Sequence, residues 1–285
     1  MRHYDHRMHA GNAGDVWKHF LLLEAADCLL TPDSSLVYAE SHVGRPAYSL
    51  KAAGDWEGGI GKIWPVLPTL LNFSYFDILN ELNPRGLATY PGSARLVWEL
   101  ARRKGSKLEI EAWDTDSEVA AAWREYPETT SLSFHLGDGF SGVMSLLDEA
   151  IPGLLLMDPP YLDPGDTSAA ERLFDRAREL EWTVLCWYLV EMADKKDMMD
   201  ATNIADIMEV KGRLVHGNLS KSRFHETSYE SFHEFSIRFS EIGLNYAGAK
   251  GCAVAMNSPD GSLIRRMEGR IEEFRKITQK LDFLA

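Results

Sequence analysis

The chain has 285 residues, 45% of them hydrophobic and 26% charged, which excludes a disordered protein and allows a large buried core. Its net charge of −13 excludes indiscriminate nucleic-acid binding, because such binding requires a strongly positive surface. Three widely spaced cysteines without a C-x-x-C pair predict a reduced, cytoplasmic protein without a structural zinc site. The charged N-terminus and the absence of an apolar run of about 18 residues predict neither a signal peptide nor a membrane span.

The first part of the chain contains two clear helices and one clear strand. Apolar spacing predicts a helix over 13–30, and the apolar run "SLVYAE" predicts a strand over 35–40. A second helix is expected over 93–104, where Ser93 can cap the first turn and Gly105 ends the last one.

From residue 107 onward, apolar strands alternate with single amphipathic helices. The strand segments read "KLEIEAW", "SLSFHLG", "GLLLMD", "TVLCWYLV", "FHEFSIRF" and "CAVAMN". Strands separated by single helices predict a mostly parallel sheet with helices on both faces, which is a Rossmann-like α/β fold. Residues 51–90 interrupt this pattern, and we predict a small helical insertion subdomain there. The main domain then comprises residues 1–50 and 91–285.

The stretch "LLLMDPPYL" (154–162) carries the clearest chemical signal. A buried strand ends at Asp158, and the two prolines that follow predict a rigid, extended loop. The Asp158 carboxylate and the Pro159 carbonyl are two acceptors directed at one point, and Tyr161 adds an aromatic face. This combination matches the exocyclic amine of a planar base. In an open α/β sheet, ligands bind in the loops at such strand ends, near the point where the strand order reverses.

The segment "KGRLVHGNLSKSRFH" (211–225) is a local concentration of positive charge on an acidic chain. Its cationic side chains are Lys211, Arg213, Lys221 and Arg223, and it contains no acid. We consider two interpretations, a phosphate contact and an ordinary solvated loop.

Three histidines, His3, His6 and His9, recur at every third position near the N-terminus. One interpretation is a metal-dependent hydrolase that uses them together with Asp5 or Asp15, although no downstream motif supplies a strong further ligand. Another is that these histidines only cap and pack a terminal helix. We predict no metal site.

The Asp-Pro-Pro-Tyr run resembles the signature of adenine-N6 methyltransferases that use S-adenosylmethionine. The pattern Y-x-H-x-x-H-A-G-N-x-x-D-V-x-K-H, from Tyr4 to His19, is similar to the start of the RlmJ family of 23S rRNA adenine-N6 methyltransferases. Members of that family were earlier described as involved in the use of external DNA. The motifs "VYAESHVG", "GGIGKIW", "YPGS", "GDGF", "DPPY" and "WY" follow in the family's order. His3 is not required by the family pattern.

The resemblance implies direct methyl transfer from S-adenosylmethionine to an adenine of ribosomal RNA by a monomeric enzyme. Asp158, Pro159 and Tyr161 would form the catalytic group, and Tyr4 and Tyr161 would contact a flipped adenine. The four cations of 211–225 are our candidates for contacts with the phosphates of the substrate. The implied cofactor contacts are Lys18, His19, His42, Gly44, Ser93, Asp114, Asp138, Gly139 and Asp158.

The chain departs from the family in the turn after the first strand, which reads "ESHVGRPAY" (40–48) instead of a glycine-rich sequence. Arg45 and Pro46 disfavour the usual tight turn, because proline restricts φ and arginine adds bulk. The position of the family's ribose-binding acid is occupied here by Ala112. We expect Asp114, two residues further along the same strand, to take over that role. Near the C-terminus the family's "NPPW"-like run reads "NSPD" (257–260). An alternative function is therefore that of a weakened or inactive relative that binds nucleic acid, linked to the use of external DNA.

Overall fold

The structure, a computed structural model, describes residues 8–126, 131–160, 165–192, 232–246 and 249–280. The strands are β1 (Ser35–Glu40), β2 (Ala47–Ser49), β3 (Thr89–Pro91), β4 (Lys107–Asp114), β5 (Leu132–Leu136), β6 (Leu154–Met157), β7 (Thr183–Met192), β8 (His233–Arg238) and β9 (Ala249–Asn257). The helices are α1 (Ala13–Leu29), α2 (Ile60–Ile63), α3 (Ser74–Leu82), α4 (Ser93–Lys104), α5 (Ser117–Arg124), α6 (Gly139–Leu147), α7 (Asp166–Glu179) and α8 (Gly261–Thr278).

The core of the fold is a seven-stranded sheet with the order β5-β4-β1-β6-β7-β9-β8. The strands from β5 to β7 pair in parallel, whereas β9 pairs antiparallel with both β7 and β8. The chain builds outward from β1 on one side and then crosses to β6 on the other, so the strand order reverses between β1 and β6. This topology confirms the predicted Rossmann-like α/β fold and places a ligand crevice at the carboxyl ends of these two strands.

The predicted helices and strands are confirmed, with two differences in detail. Ser93 does not cap α4, because the N-cap residue is Gly92 and the Ser93 hydroxyl donates to Glu40 instead. The sequence also did not predict the short antiparallel pair β2–β3, since strands of three residues carry too little periodicity to be recognised. Within the described ranges, none of the helices combines the length and the apolarity needed to span a bilayer.

The segment 51–90 is mostly helical and contributes its aromatic side chains to the main core. Phe73 and Phe76 stack or pack edge-on against Phe20 of α1 and Phe274 of α8, with ring centroids 4.7–6.4 Å apart across this set. Because these side chains are buried in one cluster with α1, the segment does not have a core of its own in the described structure.

Helix α1 is surrounded by other elements, and every residue from 13 to 26 is buried. It packs against α3, α4, α8 and strand β9. A helix buried on all sides is expected to be apolar throughout, yet α1 carries four buried polar residues. These residues are Asp15, Lys18, His19 and Glu24. Each needs a partner, because an unpaired buried charge or polar group is destabilising.

The partner of Glu24 generates a prediction about stability. Arg270 of α8 donates to Glu24 through Nε at 2.5 Å and through Nη2 at 3.3 Å, and its guanidinium lies 4.2 Å from the ring centre of Phe73. Burial raises the pKa of Glu24, so the carboxylate depends on this partner. We expect Arg270→Ala to lower the free energy of unfolding by roughly 3 kcal/mol, because it leaves a buried carboxylate unpaired.

The matched control is Arg266→Ala on the same helix. Arg266 is 60% exposed and lies 3.4 Å from Asp27, so we expect its loss to cost less than about 1 kcal/mol. Urea denaturation followed by circular dichroism measures both values. Equal effects of the two substitutions would contradict a structural role for the Glu24–Arg270 pair.

Candidate active site

The loops at the carboxyl edge of the parallel strands bring four acids to one side of the sheet. Glu40 ends β1, Asp114 ends β4, Asp138 precedes α6, and Asp158 follows β6. The backbone N–H of Ser41 donates to the carbonyl of Leu156 at 3.2 Å, so the ends of β1 and β6 are in direct contact. Residues from distant parts of the sequence therefore meet where the topology places the ligand crevice.

Asp158 is held by a lysine from the buried helix α1. The Lys18 ammonium donates to Asp158 Oδ2 and, at 2.9 Å, to Asp15 Oδ1. The Lys18 side chain is 5% exposed and that of Asp158 is 20% exposed, so the ion pair is closed to solvent on the lysine side only. Burial alone would lower the pKa of Lys18, but the two carboxylates outweigh this effect and the pKa is raised. Lys18 thus stays charged.

Lys18 also lies next to an aromatic ring. Its Nζ is 5.6 Å from the ring centre of Trp187. Trp187 lies on β7 directly after Cys186, which pairs with Met157 of β6. Lys18 therefore lies over a residue of β7, the strand that pairs with β6. The sequence-based role of Lys18, a charge near the cofactor's carboxylate, remains a prediction.

The turn after β1 forms despite Arg45 and Pro46. Gly44 adopts a φ of +62°, which favours glycine, and a Cβ at this position would collide with the Tyr48 hydroxyl. The Gly44 N–H donates to Asp114 Oδ2 at 3.0 Å, and its carbonyl accepts from Trp123 Nε1 at 2.7 Å. The Arg45 side chain points to Glu118 on α5, with Nη2 2.7 Å from Oε2. The arginine's bulk is thereby directed to the surface.

His42 lies in this turn and faces α6. Its Nδ1 is 2.9 Å from Ser41 Oγ, and its ring packs edge-on against Phe140 with centroids 4.9 Å apart. Burial lowers the pKa of His42 to about 4, which Asp158 and Asp138 only partly oppose, so the imidazole is neutral at physiological pH. Gly139 permits the close approach of α6, because a Cβ there would collide with the Ser41 carbonyl.

The two acids on the β4–β5 side of the crevice have different surroundings. Asp114 accepts from the backbone N–H groups of Gly44 and, at 2.9 Å, Asp116, and burial raises its pKa. Asp138 is exposed and caps α6 by accepting from Ser141, whose hydrogen bonds lower the pKa of Asp138. Each carboxylate keeps lone pairs that can accept from hydroxyl or amino groups of a ligand.

Two of the predicted cofactor contacts, His19 and Ser93, have buried protein partners. His19 Nδ1 lies 2.8 Å from the hydroxyl of Tyr90. Ser93 donates to Glu40, which also accepts from the Tyr38 hydroxyl at 2.7 Å. Burial raises the pKa of Glu40 to about 8, with Ser93 and Tyr38 opposing the shift. Sequence reasoning did not select Glu40 as a site residue, although an acid that ends a buried strand is the signal that could have identified it.

Several sequence-predicted residues lie outside the described residues. They are Tyr4, Tyr161, Lys211, Arg213, Lys221 and Arg223, together with His3 and His6. His9, which is described, pairs through Nδ1 with Asp55 Oδ2 at 2.7 Å. Among the residues described, no group of three or more histidine, cysteine or acidic side chains could hold a metal ion.

Comparison with known proteins connects this arrangement to a methyltransferase family. A family model described as ribosomal RNA large subunit methyltransferase D, RlmJ, matches residues 33–222. The chain is 26% identical over 226 residues to ribosomal RNA large subunit methyltransferase J of Haemophilus influenzae. This alignment covers 74% of this chain and 80% of that protein. It is 30% identical over 170 residues to the protein of the same name from Escherichia coli, with 56% of this chain and 60% of that protein covered.

A solved structure shares the fold over almost the whole chain. The crystal structure of a Legionella pneumophila protein superposes with a TM-score of 0.68 at 21% identity, covering 95% of this chain and 94% of that one. At this identity the likeness concerns the fold alone. The family model, by contrast, spans more than half of the 285 residues. The chain belongs to the ribosomal RNA large subunit methyltransferase family RlmJ.

Proposed function

We propose that the protein transfers a methyl group from S-adenosylmethionine to the N6 amine of an adenine in large-subunit ribosomal RNA. The observation that carries this proposal is the placement of Asp158 and Pro159 at the carboxyl end of β6, where the strand order reverses. The names of the family and of its relatives, which specify ribosomal RNA of the large subunit, support the substrate class.

The orientation of Asp158 suits recognition of an exocyclic amine. Within the described part of the chain, the hydrogen bonds of Asp158 all go through Oδ2, which Lys18 occupies. We assign Oδ1 to the substrate, and the Pro159 carbonyl is the second acceptor of the motif. An N6 amine has two N–H donors, so two acceptors together prevent its rotation. The nitrogen lone pair then points out of the plane that contains the two N–H bonds.

The charge of Asp158 also serves the reaction. The amine nitrogen becomes positively charged as it forms its new bond, and a carboxylate fixed beside it stabilises that charge. The ion pair with Lys18 holds the Asp158 carboxylate in place beside the position assigned to the amine. Because Lys18 is itself held by Asp15, the local cluster of two acids and one cation keeps a net negative charge towards the amine.

The carboxyl edge of the sheet fits S-adenosylmethionine in its donor and acceptor set. The neutral imidazole of His42 and the unused lone pairs of Asp114 and Asp138 match the hydroxyl and amino groups of a nucleoside. Gly44 and Gly139 allow the backbone to approach closely at this edge. When bound there, S-adenosylmethionine supplies a methyl group on a sulfonium, which needs no further activation.

The alternative, a relative that binds nucleic acid without catalysis, has no supporting observation in the described residues. It was motivated by Arg45 and Pro46, but the turn that contains them is ordered by Asp114, Tyr48 and Trp123. The net charge of −13 means that RNA recognition depends on local cationic groups, for which the segment 211–225 remains the sequence-based prediction.

The first functional prediction concerns Asp158. We expect Asp158→Ala to reduce methyl incorporation at least about 100-fold, because it removes both the acceptor and the charge beside the amine. The measurement is transfer of tritiated methyl groups to ribosomal RNA that lacks native methylation. Digestion to nucleosides and mass spectrometry then identifies the product, for which we expect N6-methyladenosine.

The matched control is Asp148→Ala, which removes an exposed acid at the end of α6 and should leave incorporation within about twofold of the wild type. Equal incorporation by the wild type and Asp158→Ala would remove Asp158 from the mechanism. A methylated nucleoside other than N6-methyladenosine would refute the proposed target atom.

The second functional prediction concerns His42 and pH. We expect His42→Ala to weaken S-adenosylmethionine binding about tenfold, and we expect that ratio to stay constant between about pH 5.5 and about pH 8. The reason is that burial lowers the pKa of His42 to about 4, so the imidazole remains neutral across this range. Isothermal titration calorimetry with the cofactor measures the ratio at each pH.

His233→Ala, which removes an exposed histidine on β8, serves as the control and should leave cofactor affinity unchanged. A ratio that changes with a midpoint near pH 6.5 would show that His42 titrates as an ordinary solvated histidine. That result would contradict the buried environment assigned to it.

A further inference from the structure

A chain of three buried side chains links the segment 51–90 to helix α1. The hydroxyl oxygen of Tyr75 lies 2.9 Å from that of Tyr90, which lies 2.8 Å from Nδ1 of His19. Tyr75 is 0% exposed and Tyr90 1%, so the two tyrosines are closed to solvent, whereas His19 keeps a small exposed fraction of 4%. The rings of His19 and Tyr90 are stacked with centroids 5.6 Å apart. Packing thus fixes the heavy atoms of these three side chains, and their hydrogen-bond partners decide where the hydrogens lie.

The hydrogens can be placed by requiring that each buried donor has an acceptor. Burial raises the pKa of both Tyr75 and Tyr90, so both hydroxyls keep their hydrogen at neutral pH. Among the residues that the structure describes, Tyr90 is the one hydrogen-bond partner of the Tyr75 hydroxyl. Tyr75 must therefore donate to Tyr90, because a buried O–H without an acceptor is strongly disfavoured.

The direction of the second hydrogen bond follows from the first. The Tyr90 hydroxyl accepts from Tyr75 and still has one hydrogen to donate. Its remaining neighbour is Nδ1 of His19, which must accept that hydrogen and so carries none of its own. If Nδ1 carried a hydrogen, in the other neutral tautomer or in the imidazolium, two donors would face each other at 2.8 Å.

We propose that Tyr90 is a positioning residue that holds His19 as the neutral tautomer protonated at Nε2, which makes His19 a hydrogen-bond donor to the carboxylate of S-adenosylmethionine. The cofactor half of this inference rests on the proposed function. A carboxylate is purely an acceptor, so it is recognised by Nε2–H and would be repelled by the lone pair of the opposite tautomer.

The position of Tyr90 in the chain is consistent with this role. Tyr90 belongs to "YPGS" (90–93), which connects β3 to the start of α4, so the same four residues carry the Tyr90 hydroxyl and Ser93. Tyr90 contacts α1 through His19, and Ser93 contacts the end of β1 through Glu40. One short segment therefore sets the side chains of two implied cofactor contacts.

The test of the tautomer uses protein labelled with ¹⁵N in its histidines. Long-range ¹H–¹⁵N spectra distinguish the two ring nitrogens, and the His19 signals are assigned by their loss in His19→Gln. We expect the Nε2–H tautomer in the wild type and in Tyr75→Phe, where Tyr90 can still donate. In Tyr90→Phe the donor is gone, and we expect the His19 signals to shift towards the other tautomer or the imidazolium.

The test of the cofactor role is the dissociation constant of S-adenosylmethionine, measured by calorimetry. We expect Tyr90→Phe to weaken binding about tenfold and the matched control Tyr75→Phe to stay within about threefold of the wild type. Both variants remove one buried hydroxyl from the same cluster, so a purely structural effect would weaken binding equally. Thermal denaturation of both variants confirms that they fold.

The possible results separate this inference from the proposed function. A wild type with the hydrogen on Nδ1, or a tautomer unaffected by Tyr90→Phe, overturns the role of Tyr90. An altered tautomer with unchanged cofactor affinity overturns the cofactor half. A wild type that fails to bind S-adenosylmethionine at all overturns both the proposed function and the cofactor role of His19. In that case the spectra still decide whether Tyr90 controls the tautomer of His19.

Discussion

The buried ammonium of Lys18 is the interaction on which the candidate site depends. A lysine at 4% exposure is stable as a cation only if nearby negative charge replaces the water it has lost. Asp15 supplies part of that charge from the same helix, and Asp158 supplies the rest from a position 140 residues away in the sequence. Because neither Lys18 nor α1 can move into solvent, the pairing fixes the Asp-Pro-Pro loop relative to the N-terminal helix.

The polar residues at the start of α1 are buried with the helix and therefore pair with groups around it. Asn12 caps the helix by accepting from the Asp15 N–H at 3.0 Å, and Asp15 accepts in turn from the Gly11 N–H at 2.8 Å. Asp15 is thereby oriented before it meets Lys18, and His19 points to a different neighbour, Tyr90. The motif therefore has two structural roles. It starts the helix, and its polar side chains bind the elements around the helix, which are the sheet edge and the segment 51–90.

The altered turn after β1 shows that a sequence departure need not abolish a local structure. The glycine that remains, Gly44, takes the one left-handed position in the turn, and its neighbours Arg45 and Pro46 occupy positions that accept side chains. Hydrogen bonds from Trp123 and to Asp114 replace the flexibility of a glycine-rich sequence with side-chain contacts. Asp114 acts here first as an anchor for the turn, which is a role that its distance in the sequence concealed.

The amino-acid sequence by itself determined the longer helices and strands, the mostly parallel sheet and the position of Asp158 at a strand end. These features follow from local periodicity, from breaks such as Gly105 and from short motifs, all of which act within a few residues. Only the tertiary structure decided the partners: Lys18 with Asp158, Ser93 with Glu40, His19 with Tyr90. Local patterns show that a polar residue is buried, whereas its partner depends on strand order and helix packing, which bring together groups that are far apart in the chain.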